Sequence, residues 1–514
     1  MPLSDGLQAT CQPGDGWDES RQALGLVMVA FSQRARRTRC FGRHYPGTPH
    51  ATQRRWRRAV TQVHLLSFEG PDVYSRAGGI ASRVVGLAEA LAERGLDTHL
   101  WFVGDPSQPG VEQCGGLTLH RWCQWISAYA PLGVYQDEEG KERDFASSLP
   151  PYLVKQFLEP HLASGGKAVV LAEEWHTAHA VIHLDWLLRE GRLRERASVI
   201  WTANNLFGFE RVDWPRLAQA SEIATVSRYM RGCMLPLGVD PIVIPNGLSP
   251  EAFALPDDAA VGALRRSAAG RTLLAKMARW DPEKGWLASV EIAARLKERG
   301  ARPLLVARGG SEAYGSVVLA RASARGLSVS RQRLSREGAA GLLAAVARGS
   351  ESDVVLLESP VDREARSLLF RGADLVLANS RHEPFGLVGL ETMAVGGIAC
   401  TGATGEEYAS TGENALVVAR DDPGEFLAKF DALFARADRI EAMRRAAVRT
   451  ARKYTWRRVI DAYLSPRLGY HEEPSRRRTT KRHLATAVTG CLAPTRRFGA
   501  VVESARVLDQ GGVG

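Results

Sequence analysis

The chain has 514 residues, too many for one hydrophobic core and enough for two domains of roughly 150–250 residues each. Its 45% hydrophobic and 24% charged content is that of a globular protein, and no run approaches the roughly 18 apolar residues of a membrane-spanning helix. The net charge of +10 sits at the ends, +6 in residues 1–58 and +4 in 471–514, so 59–470 is neutral and the case for a nucleic-acid partner falls away.

Residues 1–58 combine turn formers with arginine runs at 34–39 and 54–58 and hold no sustained period, so a disordered basic extension is expected there. The apolar stretch 23–31 lacks a basic lead and a small-residue cleavage site, and does not read as a signal peptide. The tail 471–514 is expected to behave like the first segment. Both ends carry arginine clusters that attract acidic lipid, a weaker reading than solvated tails. The seven cysteines are scattered and form no CxxC, which fits a reducing cytoplasm and signals neither disulfides nor a metal site.

From residue 60 the pattern alternates. An apolar run at 63–68 predicts a buried strand, Gly78-Gly79 a turn, and Val84, Leu87, Ala88 and Leu91 the inner face of a helix ended by Gly95. The run 98–103 predicts the next strand, and this βαβ unit requires a parallel sheet with right-handed crossover. A glycine turn at a helix N-terminus places backbone N–H groups where an anion is favoured; a plain tight turn is the alternative. Neither GxGxxG nor GxxxxGK[ST] occurs, so the dinucleotide and P-loop signatures are missing. A strand at 168–171 leads into Glu173-Glu174-Trp175-His176-Thr177-Ala178. His176 is a candidate ligand contact, against the commoner structural histidine; His179 and His183 read as helix-surface or packing residues.

The turn-forming cluster Ile244-Pro245-Asn246-Gly247 marks a domain boundary, after which the architecture starts again. A strand is predicted at 272–278, a helix at 286–299 with Leu287, Val290, Ala293 and Ala294 inward, and a strand at 303–307. Two such starts mean two doubly wound α/β domains. Arg279 and Lys284 flank a Pro-containing loop at a strand's carboxyl end, where open sheets bind ligands, and two such cations can clamp a diphosphate; solvated loop charges are the alternative. A strand at 375–377 precedes Glu383-Pro384-Phe385-Gly386-Leu387, a helix start whose amides point into a cleft, and Glu391 completes E-x7-E. On one helix the two carboxylates would lie ~12 Å apart along the axis. A glycosidase pair needs roughly 5–9.5 Å, so they read as holding two parts of one elongated ligand.

Taken together, these residues resemble the GT-B glycosyltransferases, specifically the retaining group 1 type (family 4), over roughly 60–470. The likeness rests on six elements in order: Gly78-Gly79, Trp175-His176-Thr177-Ala178, Thr225-Val226-Ser227, the 244–247 cluster, the Arg279…Lys284-Gly285 loop, and Glu383-Pro384-Phe385-Gly386-Leu387-Val388 with Glu391. Tyr454-Thr455-Trp456 resembles the start of a C-terminal helix that returns to the first domain. The resemblance implies a GT-B fold, two Rossmann-like domains facing across a cleft: an acceptor domain over 59–247 completed by a helix at about 452–470, and a donor domain over 248–451. It implies transfer of a hexosyl group from a nucleotide-diphosphate sugar to a saccharide or other hydroxyl acceptor with retention, without metal or other cofactor.

The resemblance also implies roles. Gly78 and Gly79 would meet the donor's phosphate, Arg279 and Lys284 would neutralise the diphosphate, and Glu383 with the amides of Phe385, Gly386 and Leu387 would hold the transferred sugar. Glu391 would grip the ribose, and His176 would reach a sugar hydroxyl from the opposite domain. Retention would follow from attack on the face the leaving group vacates, with a phosphate oxygen taking the acceptor proton. The Trp-His-Thr-Ala stretch is also similar to starch and glycogen synthases. Two departures set the chain apart from the bacterial ones: Arg76 replaces the Lys of their Lys-x-Gly-Gly, and Glu391 replaces their usual Tyr. Gly396-Gly397-Ile398 lacks the Pro common after Gly in family 4, which is expected to alter a turn. A GT-B-shaped sugar-nucleotide epimerase and a non-catalytic sugar-nucleotide-binding protein are the alternatives.

Overall fold

The computed structural model describes residues 61–268, 270–419 and 422–468; the expectations for the basic ends lie outside them. Eight strands form the first sheet: β1 (Thr61–Leu66), β2 (Asp97–Val103), β3 (Val111–Cys114), β4 (Leu117–Trp122), β5 (Lys167–Glu173), β6 (Ala197–Ala203), β7 (Glu222–Thr225) and β8 (Ile242–Val243). Their spatial order is 3-4-2-1-5-6-7-8, and only the β3–β4 pair is antiparallel. The second sheet holds β9 (Thr272–Met277), β10 (Pro303–Arg308), β11 (Val329–Gln332), β12 (Val354–Leu357), β13 (Leu375–Ala378), β14 (Ala399–Thr401) and β15 (Leu416–Val417). It runs 11-12-10-9-13-14-15 and is parallel throughout.

Helices cover both faces of a parallel sheet, so its central strands read as unbroken apolar runs. All six residues of β1 are buried. The helices that position the site are α1 (Gly79–Glu93), α2 (Glu138–Leu153), α3 (Ala178–Glu190), α4 (Arg228–Met234), α5 (Trp286–Glu298), α6 (Leu387–Ala394), α7 (Ala437–Ala451) and α8 (Trp456–Val459). In α1 the expected Val84, Leu87, Ala88 and Leu91 are buried, and Gly95 leaves the helix at φ +76°. The first strand stops at Leu66 instead of residue 68, although Phe68 stays in the core. No helix among the described residues is long and apolar enough to cross a membrane.

One face of the first sheet carries a polar inlay. His64, His99 and His120 are buried on adjacent strands, and His99 Nδ1 lies 3.0 Å from His120 Nε2. Burial and mutual repulsion hold His64 and His120 well below the usual imidazole range, His120 at about 3, so the row is neutral.

The chain crosses between the sheets twice. It leaves the first sheet after β8 and returns beyond α7. The two crossings are joined, Leu248 N–H donating to the Tyr454 carbonyl at 2.7 Å and Trp456 N–H to the Leu248 carbonyl at 3.1 Å. Trp456, 2% exposed, then packs with Val84, Leu87 and Ile244 of the first lobe. Arg94 and Asp461 pair at 2.5 Å, and Arg467 donates to Glu222 at 2.6 Å, pinning the returning segment.

Candidate active site

In each sheet the strand order reverses direction at one pair, β1–β5 in the first and β9–β13 in the second. Open α/β sheets bind ligands beyond the carboxyl ends of strands at such switch points. The loops after β1, β5, β9 and β13, with the starts of the helices α1 and α6 that follow two of them, carry the candidate site residues, so the topology gathers them at the two crevices.

The second-sheet loops are tightly built. Arg279 follows β9, and its carbonyl accepts from Trp286 Nε1 at 2.7 Å. Its guanidinium is 60% exposed and 3.6 Å from Asp281. Asp281 caps the short turn through the Glu283 N–H at 2.8 Å, and Lys284 ends that turn. Gly285 follows at φ +63°, where a Cβ would stand 2.0 Å from the Asn379 carbonyl oxygen, so only glycine allows the two loops to touch. Beneath them the buried Lys276 donates from Nζ to the Leu377 carbonyl at 3.1 Å and to Asn379 Oδ1 at 2.9 Å.

This packing brings Lys284 Nζ to 2.9 Å from Glu383 Oε2, which also accepts from Ser380 Oγ at 2.8 Å. Glu383 lies before the helix. Gly386, at φ +86°, caps α6, so the two glutamates of E-x7-E do not share a helix and the axial spacing expected for them does not apply. Phe385 is buried against Tyr408 and Tyr454, with ring centroids 5.7 and 6.0 Å away. Leu387 opens α6, whose first-turn N–H groups lack intrahelical acceptors. Glu391 stands one turn further on, 3.5 Å from Arg366 Nε. A cavity of about 420 Å³ adjoins this loop, lined by Asn379, Arg381, His382 and Thr404, and includes neither Lys284 nor Glu383.

The glycine turn of the first lobe meets this loop directly, since a Cβ on Gly79 would stand 3.6 Å from Leu387 Cδ1. Both Gly78 and Gly79 are exposed. The start of α1 is already charge-balanced: Glu69 Oε2 accepts from the N–H groups of Ala77, Gly78 and Ala81 at 3.3, 2.9 and 3.1 Å. Of the two glycines, Gly79 therefore keeps the amide that Glu69 does not use.

His176 departs from expectation. It is 4% exposed, stacked 4.3 Å from Phe68 and 3.9 Å from Trp175, with Nε2 2.7 Å from Glu138 at the start of α2. Burial lowers its pKa and the hydrogen bond lowers that of Glu138, which describes a neutral ring donating from Nε2. Nδ1 is buried without a partner among the described residues, so neither nitrogen is offered to a sugar in this conformation. As expected, His179 is a surface residue, paired with Glu142 at 2.8 Å, while His183 Nδ1 lies 2.9 Å from the Ala146 carbonyl.

Sequence reasoning passed over several groups. Glu174 is buried at φ +71°, a strained backbone for a non-glycine residue, and burial pushes its carboxyl up to about 8. Glu407 joins the lobes: its carboxylate accepts from Arg228 Nε at 2.9 Å and the Tyr229 N–H at 3.3 Å, at the start of α4. Its neighbour Glu406 is buried beside Gly386 and Glu383, and burial, then the Glu383 charge, raises it to about 7. Both follow β14, so the rule that selected the loops after β9 and β13 also covers them.

Glu406 carries a pH prediction. A carboxyl raised in the folded state stabilises fully below its unfolded value near 4.5, and that contribution is lost as pH climbs to about 7. Glu406→Gln, which keeps a neutral group there, should therefore gain on the wild type by roughly 3 kcal/mol between pH 4.5 and pH 8. Urea unfolding at the two pH values measures this, and an equal difference at both would show that Glu406 titrates normally.

The two facing doubly wound sheets define the GT-B class of fold. Residues 274–436 match the family model described as glycosyl transferases group 1. A D-inositol 3-phosphate glycosyltransferase of Geodermatophilus obscurus is 27% identical over 440 residues, covering 81% of this chain and 90% of that protein. Among solved structures, a sucrose-phosphate synthase from Thermosynechococcus elongatus superposes with a TM-score of 0.57 at 19% identity, over 79% of this chain and 99% of its own. A UDP-forming trehalose-phosphate synthase from Burkholderia xenovorans, in complex with glucose-6-phosphate, gives 0.56 at 16% identity, over 80% and 100%.

Proposed function

We propose that this chain is a glycosyltransferase that moves a hexosyl group from a nucleoside diphosphate sugar to a hydroxyl acceptor with retention of configuration. The observation that carries the reading is the Lys284–Glu383 contact at 2.9 Å, which sets a cation and a carboxylate side by side at the second switch point, against the glycine turn of the first lobe. The group 1 match over 274–436 and the 27% identity to a named glycosyltransferase over 81% of the chain support it.

In this reading the bond between the anomeric carbon and the phosphate oxygen breaks, the acceptor oxygen bonds on the same face, and its proton passes to the departing phosphate. Negative charge grows on the diphosphate as that bond opens. Lys284, Arg279 and the Gly79 amide would supply the fixed positive potential that lowers the energy of that charge. Glu383, held by Ser380, receives a sugar hydroxyl, and Glu391 takes the ribose. The first lobe supplies the acceptor side, and inositol 3-phosphate, named for the relative, is one acceptor to try.

A ligand that binds only the native state raises the melting temperature by mass action. UDP-, ADP- and GDP-sugars are to be screened this way, and at least one is expected to raise it in a manner that Lys284→Ala weakens. A chain indifferent to all three would refute the reading.

A further inference from the structure

Residues 123–137, between β4 and α2, leave the same carboxyl edge of the first sheet that bears Gly78-Gly79 and His176. Tyr135 marks the inner end of this loop. Its O–H donates to Glu69 at 2.6 Å, and its ring lies 5.6 Å from His176. Tyr129 and Trp125 stand further along it, 87% and 66% exposed.

The backbone that carries these rings is held in place. Lys141 is fully buried, and its Nζ lies within hydrogen-bond reach of the carbonyls of Gly133, Val134 and Gln136 at 3.1, 3.1 and 2.6 Å and of the Tyr74 hydroxyl at 2.7 Å, its three N–H groups shared among the four. The Tyr74 O–H in turn donates a hydrogen bond to the Ala130 carbonyl at 2.7 Å. Trp125 spends its one N–H on Asp144 at 3.3 Å while its ring stays exposed. A buried ammonium thus fixes a loop whose largest side chains face water.

Exposed rings on a fixed backbone suit a partner with flat apolar faces and a polar rim. A pyranose has C–H bonds on its faces and hydroxyls at its edge, which matches this demand. Charge narrows the choice. Residues 124–144 carry five carboxylates and two cations, one of them the buried Lys141, so a phosphate group or acidic lipid is disfavoured at these rings.

We propose that Trp125 and Tyr129 form a subsite that stacks the outer rings of a neutral saccharide chain, beyond the ring that receives the transferred sugar. That this saccharide receives the transferred sugar rests on the transferase reading; saccharide binding at these rings does not.

The test compares the full chain with W125A/Y129A, without nucleotide sugar. The ligands are four-ring malto-, cello- and manno-oligosaccharides, their monosaccharides, inositol 3-phosphate, and vesicles of neutral and acidic lipid. At least one oligosaccharide is expected to bind the wild type and to bind the variant about tenfold more weakly. Circular dichroism and monosaccharide binding should stay unchanged. The proposal is overturned if no oligosaccharide binds, if the variant binds as tightly, if the substitutions weaken inositol 3-phosphate as much as the oligosaccharide, or if vesicle binding is what they abolish. The nucleotide-sugar melting shift in the same variant reports on the transferase reading separately, so either can fail alone.

Discussion

Lys284→Ala is expected to lower kcat/KM for sugar transfer by about 10²–10³, roughly 3–4 kcal/mol of transition-state stabilisation. The leaving diphosphate gains charge only as its bond to the sugar breaks, so a cation placed there acts mainly on the transition state, and kcat should fall with kcat/KM. Stability should barely change. The side chain is 22% exposed, its pair with Glu383 is only partly shielded, and removal leaves Glu383 bound to Ser380. Arg279→Ala should be milder, because that guanidinium is 60% exposed and loosely held by Asp281. Steady-state kinetics with a donor found by melting shift, beside urea unfolding of each variant, makes the measurement. Wild-type turnover in Lys284→Ala would remove the diphosphate role.

Trp456→Ala is expected to cost about 3–5 kcal/mol in unfolding free energy, the range for deleting a large buried aromatic. The cavity cannot collapse easily. Gly86 and Gly247 lie on the indole, each so close that a Cβ would stand 2.4 Å from a ring atom, and Arg83 covers it with its guanidinium carbon 5.7 Å from the ring centroid. Arg83 is itself fixed by Glu173 at 2.9 Å and Asn246 at 2.8 Å, so the loss should spread to the end of β5. Denaturant unfolding measures the cost, and a value under about 1 kcal/mol would mean that the returning segment adds little to the first lobe.

The architecture was legible because a parallel strand buried on both faces writes itself as an unbroken apolar run and a crossover helix as a spaced stripe. Val84, Leu87, Ala88 and Leu91 point inward as their spacing says. The loops at 279–285 and 383–391 were legible for another reason: the strand-end rule marks them before any contact is known. What escaped depends on contacts between residues far apart in sequence. Glu69 looks like an ordinary loop acid until it is found on the amides of Ala77, Gly78 and Ala81. His176 looks like a contact residue until Glu138 and Phe68 enclose it. Glu406 and Glu407 are adjacent in sequence, yet one sinks beside Glu383 and the other grasps Arg228 of the first lobe. No spacing encodes that divergence.

The hydrogen bonds between Leu248 and the residues at 454 and 456 make the two interlobe spans a laced pair. Such a pair ties the two spans together, so neither can shift alone without stretching the bonds between them. A single proteolytic nick in one span would leave the halves covalently linked through the other. Severing the lobes takes two cuts, and the fragment ending before residue 248 would then bare the pocket that Trp456 fills.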